Sequence, residues 1–293
     1  MRIKLFGYRG EPHPSVTDRI EQSLINKGCI VDDNPELLIH TTGLFEDAEK
    51  FYNNCPVKPV RLYNLLDSNN TNHGFYDKTI KDYQNCEIAT TISITARNKI
   101  IERLNISREI SVIGFPARPV KFLKNHRGFC SLYVGRWNDP NKRTYLIKPS
   151  LELLGQDKEN DLVVVSSDKP PFNCFYHNNV NDEILNLLYN GAEFTWLPSK
   201  QEGLGMSAIE AIQTGSIPLL CNDNDVVREL GLKDFSTDPN PEALSKLVRK
   251  IQKNINYYWN KMDELRPKFE KQFSVETVAQ NILNLYENYA STT

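Results

Sequence analysis

Long apolar runs are missing from these 293 residues. Stretches such as Leu162–Val165 and Ile217–Cys221 have the length of a strand and fall far short of a bilayer span. An excess of one charge is missing too. Lys and Arg total 35 against 37 Asp and Glu, a formal net charge of -2. Neither a basic footprint for nucleic acid nor an acidic tail follows from that balance. The six cysteines, Cys29, Cys55, Cys86, Cys130, Cys174 and Cys221, show no C-x-x-C spacing. Such scatter argues against a zinc site or a disulfide framework and for reduced thiols. Met1–Gly7 reads as a short strand, without the apolar core of a signal peptide. The expectation is a cytoplasmic protein with no transmembrane segment, for which peripheral membrane contact stays open.

What is present is ordinary for a globular chain, with 40% apolar and 25% charged residues. Short apolar runs alternate with helical patterns. Strands are expected at Arg2–Phe6, Leu37–His40, Val57–Tyr63, Glu87–Thr90 and Ile110–Gly114, with helices at Val16–Lys27 and Ser93–Leu104. The prolines of Phe115-Pro-Ala-Arg-Pro-Val and the polar Lys124–Gly128 then mark a linker. A second series follows, with strands at Phe129–Val134, Leu162–Ser166, Phe194–Leu197 and Ile217–Cys221. Its helices are expected at Thr144–Leu154, Asp182–Asn190, Met206–Gln213 and along Pro241 to Gln272, ahead of a last amphipathic helix from Val275 to Tyr289. This rhythm predicts an α/β fold with doubly wound parallel sheets, and the length favours two domains over one large one. The expected boundaries are 1–122, 123–272 and a terminal helix at 273–293.

The most informative stretch runs from Phe194 to Leu220. A strand ends at Leu197, and Glu202-Gly-Leu-Gly205 leads into the helix at Met206. Glycines let backbone amides approach a ligand, and a helix start adds unpaired N–H groups at the positive end of its dipole. Together they suit a phosphate. Carboxylates beside such a site would repel phosphate, but they accept hydrogen bonds from vicinal sugar hydroxyls. Glu202 and Glu210 would then face sugar rings on either side of a diphosphate. From spacing alone, an ordinary strand–turn–helix with a solvated Glu202 reads equally well.

These residues resemble a family. Glu202-x7-Glu210, with Leu197-Pro-Ser199 before it and Ala211, Gly215 and Pro218 after it, is similar to the E-x7-E signature of GT-B glycosyltransferases of the retaining family 4 kind. Further stretches fall in the same order: Ile110-Ser-Val-Ile-Gly-Phe-Pro116, Tyr133-Val-Gly-Arg-Trp-Asn-Asp-Pro-Asn-Lys142, Val180-Asn-Asp-Glu183 through Leu187-Leu-Tyr-Asn-Gly-Ala192, and Val227-Arg-Glu229. The likeness extends from about Ile110 to Phe235.

The resemblance implies a GT-B fold, with two Rossmann-like domains facing across a cleft and a nucleotide-diphospho-sugar donor, such as a UDP- or GDP-sugar, held in the C-terminal one. Arg136 and Lys142 would hold the diphosphate, where negative charge grows as the nucleotide leaves. Gly135 would lie beside them. Glu202 would contact the donor sugar, Gly203, Leu204 and Gly205 would offer amides, and Glu210 would bind ribose hydroxyls. No metal and no further cofactor is implied. In the N-terminal half, Gly7-Tyr-Arg-Gly10 stands where such enzymes carry a glycine-containing loop, so Gly7 and Gly10 are expected near the donor, with Arg9 beside them. His40, in Leu38-Ile-His40-Thr-Thr-Gly43, matches the first histidine of a family strand end whose second is replaced by Thr42. A further family histidine has no counterpart in Arg61-Leu-Tyr-Asn64, where Tyr63, Asn64 or the loop residue His73 could stand in. The expected activity is sugar transfer to a glycan or other small hydroxyl acceptor, with retention and without a nucleic-acid partner. The departures in the N-terminal half keep a second reading open, that of a catalytically weak protein that binds nucleotide sugars or glycans.

Overall fold

The computed structural model describes residues 1–6, 16–41, 45–65, 83–123, 129–156 and 161–293. They divide into two compact units, Met1–Pro116 with Gln272–Thr293, and Ala117–Lys271.

In the first unit, β1 (Arg2–Phe6), β2 (Ile30–Val31), β3 (Leu37–Thr41), β4 (Val60–Leu65), β5 (Ile88–Thr91) and β6 (Ser111–Val112) form one sheet in the order β2-β1-β3-β4-β5-β6. Every pairing is parallel. Parallel neighbours need crossover connections, and α1 (Val16–Asn26), α2 (Phe45–Asn54) and α3 (Ile94–Leu104) lie in them. Ser93 starts α3 by accepting the N–H of Ala96, and Asn105 ends it in the left-handed conformation. Alternate residues of the strands, Ile3, Leu5, Leu37 and Ile39, share a core with Ile20 and Leu24 of α1.

The terminal helix α10 (Val275–Thr292) adds Val278, Ala279 and Ile282 to that same core. Asn281 also donates to the carbonyl of Ile113 over 3.0 Å. The final helix therefore belongs to the first unit although the second precedes it in sequence.

In the second unit, β7 (Phe129–Val134), β8 (Leu162–Val165), β9 (Phe175–His177), β10 (Ala192–Leu197), β11 (Ile217–Cys221) and β12 (Ser236–Thr237) form a parallel sheet in the order β12-β11-β10-β7-β8-β9. Its helices are α4 (Ile147–Leu154), α5 (Asp182–Gly191), α6 (Met206–Thr214), α7 (Asp225–Glu229), α8 (Pro241–Lys253) and α9 (Ile255–Gln272). β8 and β11 are buried at every position, as strands covered on both faces require. Leu132, Val163 and Val165 pack with Leu185 and Tyr189 of α5 and Ala211 of α6.

Several details depart from the sequence expectation. The stretch from Pro241 to Gln272 is two helices, broken at Asn254, whose φ of -123° and ψ of 34° are not helical. Pro267 sits inside α9 without ending it. The strands β2, β9 and β12 have two or three residues each, too few to carry a period of two. The N-terminal segment of the first unit runs to Pro116, against the expected 122. Among the described residues, no helix is long and apolar enough to cross a membrane.

Candidate functional site

β7 and β10 are adjacent and parallel, with Tyr133 in register with Trp196. Their carboxyl ends therefore leave the sheet side by side, which is where open α/β sheets bind ligands. The loop after β7 carries Arg136 and Lys142, and the loop after β10 carries Glu202 to Gly205.

The first loop turns at Gly135. Its φ is +154°, and a Cβ there would lie 3.0 Å from the Tyr133 hydroxyl. That hydroxyl donates to the Arg136 carbonyl over 3.0 Å, so the close approach demands glycine. Burial, and then the nearby carboxylates of Glu202 and Asp139, hold the Tyr133 phenol above its ordinary pKa, which keeps it a donor. Trp137 is buried, its N–H bonded to the Ser166 hydroxyl and its carbonyl to Thr144. Asp139 caps the short 3-10 turn Pro140–Lys142 by accepting the Asn141 N–H, and its other oxygen takes Arg136 over 2.6 Å. The Arg136 side chain is 70% exposed.

Asn141 ties this loop to the next. Its side chain donates to the Gln201 carbonyl over 2.6 Å and accepts the Gln201 N–H over 3.1 Å. Its own carbonyl accepts the Lys200 N–H over 2.8 Å. The next residue, Lys142, reaches Glu202 with an Nζ to Oε1 distance of 2.6 Å. These two side chains are only 17% and 13% exposed. Arg143 follows at a φ of 49° and makes two hydrogen bonds to Asp223, of 2.9 and 2.6 Å. Asp223 and Asp225 stand two apart beyond β11, and each carboxylate meets an arginine, Arg143 and Arg228 respectively.

The second loop delivers the start of α6. Gly205 is the residue before the helix, at a φ of +72°, and offers no side chain to cap it. A Cβ there would come 2.8 Å from Val226 Cγ1. The first-turn amides of α6 thus stand at the head of a nine-residue helix, next to Gly203 and Leu204. Glu210, in the second turn, is buried. Tyr189 donates to its Oε2 over 2.9 Å, and Arg118 Nε lies 4.0 Å from its Oε1. Burial and that carboxylate push the Tyr189 phenol well up.

The structure thus brings Lys142 and Glu202 into contact, places Gly203, Leu204 and Gly205 between Glu202 and α6, and turns Arg136 onto Asp139. Glu210 sits in its own buried setting with Tyr189. His40 lies in the first unit, at the end of β3, in register with Tyr63 and 5.1 Å from its ring. Burial lowers its pKa to about 4, so the imidazole is neutral near pH 7. It lines a pocket of about 90 Å³ with Leu38, Tyr52, Arg61 and Asn85. Gly7, Arg9, Gly10, Thr42, Gly43 and His73 lie outside the described residues.

Sequence reasoning passed over Asn141, Arg143, Asp139, Tyr133 and Tyr189. The Asp139-Pro140 pair was a legible turn signal, because aspartate caps and proline starts such turns. Nothing local announces a pairing across 60 residues such as that of Asn141 with Gln201.

Residues 147–271 match the model of a family described as glycosyl transferases group 1. The match takes in Glu202 and Glu210 and begins just past Lys142. No curated protein matches the chain. Among solved structures, it is similar to a sucrose-phosphate synthase from Thermosynechococcus elongatus, with a TM-score of 0.72 at 14% identity over 88% of this chain and 75% of that one. It is also similar to HepE of Anabaena in complex with UDP and glucose, with a TM-score of 0.71 at 11% identity over 92% and 80%. A third is an alpha-glucosyltransferase in complex with UDP and a 13-mer DNA containing an HMU base, with a TM-score of 0.70 at 12% identity over 98% and 99%. These likenesses show the fold: two six-stranded parallel sheets with flanking helices, the GT-B arrangement.

Proposed function

We propose that this chain is a glycosyltransferase that moves a sugar from a nucleotide-diphospho-sugar donor to a hydroxyl acceptor. The observation that carries this reading is the Lys142–Glu202 contact of 2.6 Å, held beside a glycine-flanked helix start. A cation paired with a carboxylate on the loop that leads into a helix matches a ligand that is anionic in one part and hydroxylated in the next. The group 1 family match over residues 147–271 and the fold shared with a protein solved with UDP and glucose support the same assignment.

In this reading Lys142, Arg136 and the amides of Gly203, Leu204 and Gly205 take the diphosphate, with Gly135 allowing its approach. Gly7 and Gly10 are assigned to the donor side as well. Glu202 takes hydroxyls of the transferred sugar and Glu210 those of the ribose. The bond from the anomeric carbon to phosphate breaks while the acceptor oxygen bonds to that carbon. Charge grows on the leaving phosphate, and Lys142 and Arg136 stabilise it, so no metal is required. A phosphate oxygen on the same face takes the acceptor proton, and configuration is retained. His40, neutral at pH 7, serves as a hydrogen-bonding group for the acceptor. A glycan or small glycoside suits a chain of net charge -2 better than a polyanion does.

A thermal-shift series with UDP, GDP, ADP, CMP and dTDP tests the donor site, since a ligand that binds only the native state raises its stability. The nucleotide that shifts the midpoint selects the sugar donor for transfer assays with glycosides and with duplex DNA. No shift with any of the five would overturn the reading.

A further inference from the structure

We propose that Asn141 and Arg143 are positioning residues that fix the backbone on both sides of Lys142 and so aim its ammonium at the donor phosphate. The inference rests on the donor site described above. Lysine is a poor tool for placing a charge, because its four-carbon stem has many rotamers to choose from. A lysine that meets phosphate at a defined point needs its Cα held still. Both of its neighbours supply that restraint, and each binds a different loop.

Before Lys142, Asn141 makes three hydrogen bonds to Lys200 and Gln201, the residues leading into Glu202. The side-chain amide satisfies both the N–H and the carbonyl of Gln201, as a neighbouring strand would, so the two loops move as one piece. After Lys142, Arg143 holds φ at 49°, a left-handed conformation that strains a non-glycine residue. Glycine would occupy this position without strain, yet the position carries an arginine. Its side chain is 11% exposed, and the guanidinium grips Asp223 beyond β11 through two hydrogen bonds. Lys142 is thereby suspended between the loop after β10 and the loop after β11.

The test is a double-mutant cycle read by calorimetric binding of UDP, GDP and ADP to the full chain, using whichever nucleotide binds. Asn141→Ala and Arg143→Gly should each weaken binding by about tenfold and lower donor turnover by up to about 10²-fold. Arg143→Gly keeps the left-handed backbone accessible, so it reports on the lost Asp223 grip even if Asn141→Ala folds poorly. Asn141→Asp, which keeps the size and loses the donated hydrogen bond, should behave like Asn141→Ala. In a Lys142→Ala background, Arg143→Gly should add nothing to the loss, because it acts through the missing side chain, and Asn141→Ala should add less than it costs alone. Additive losses, or unchanged binding in the single variants while Lys142→Ala weakens it, would refute the positioning role and leave the donor site standing. Unchanged binding in Lys142→Ala itself would bring down both.

Discussion

Lys142 Nζ donates to Glu202 Oε1 over 2.6 Å, with both side chains more than four-fifths covered. This ion pair engages the ammonium that the proposed diphosphate needs. Removing the carboxylate charge removes the competitor. Glu202→Gln should therefore tighten binding of the free nucleoside diphosphate by about three- to tenfold, while sugar transfer slows because a hydroxyl acceptor is lost. Calorimetric titration beside a transfer assay separates the two. Weaker nucleotide binding in this variant would mean that Glu202 does not oppose the phosphate.

Gly205 cannot be replaced quietly. An alanine there would hold φ at +72° and push its Cβ to 2.8 Å from Val226 Cγ1. Gly205→Ala should lower the unfolding free energy by about 1–3 kcal/mol. Adding Val226→Ala should recover the steric share and leave the backbone share. Urea denaturation of the two variants measures both parts.

The Tyr189 hydroxyl reaches Glu210 Oε2 over 2.9 Å inside the second unit. Tyr189→Phe takes a donor from a buried carboxylate and should cost about 1–3 kcal/mol of stability. Glu210→Ala should weaken nucleotide affinity by about 1–3 kcal/mol through lost charge-assisted hydrogen bonds. Unaltered titration curves for Glu210→Ala would remove it from the donor site.

Burial lowers the His40 pKa to about 4 in the folded protein, against about 6.5 when exposed. The unfolded chain then binds the extra proton between those values, so stability falls as pH drops from 6.5 to 4 and levels off below. The loss attributable to His40 is about 2–3 kcal/mol between pH 7 and pH 4. His40→Asn should flatten that part of the profile in denaturation series across this range. A variant as acid-sensitive as the parent would show that the imidazole does not contribute.

The α/β class, the longer strands between Arg2 and Cys221 and the start of α6 at Met206 were legible because each leaves a local trace. Short apolar runs, helical periodicity and a glycine before a helix start act within a few positions of themselves. Lys142 was singled out only by the family resemblance, whereas the same locality drew attention to Glu202, by its place before a glycine-flanked helix start. It was silent on the break at Asn254, since the apolar pattern runs on through both helices.

Tertiary structure decided which of these residues meet. β10 lies against β7, so Asn141 finds Gln201 and Lys142 finds Glu202, and β11 lies beyond β10, where Arg143 finds Asp223. Interstrand hydrogen bonds join backbone groups that all residues but proline carry in full, so the order of strands in a parallel sheet leaves little mark on side-chain identity. The amino-acid sequence determined the elements and the chemical groups at their ends. Packing of the whole chain determined the partners.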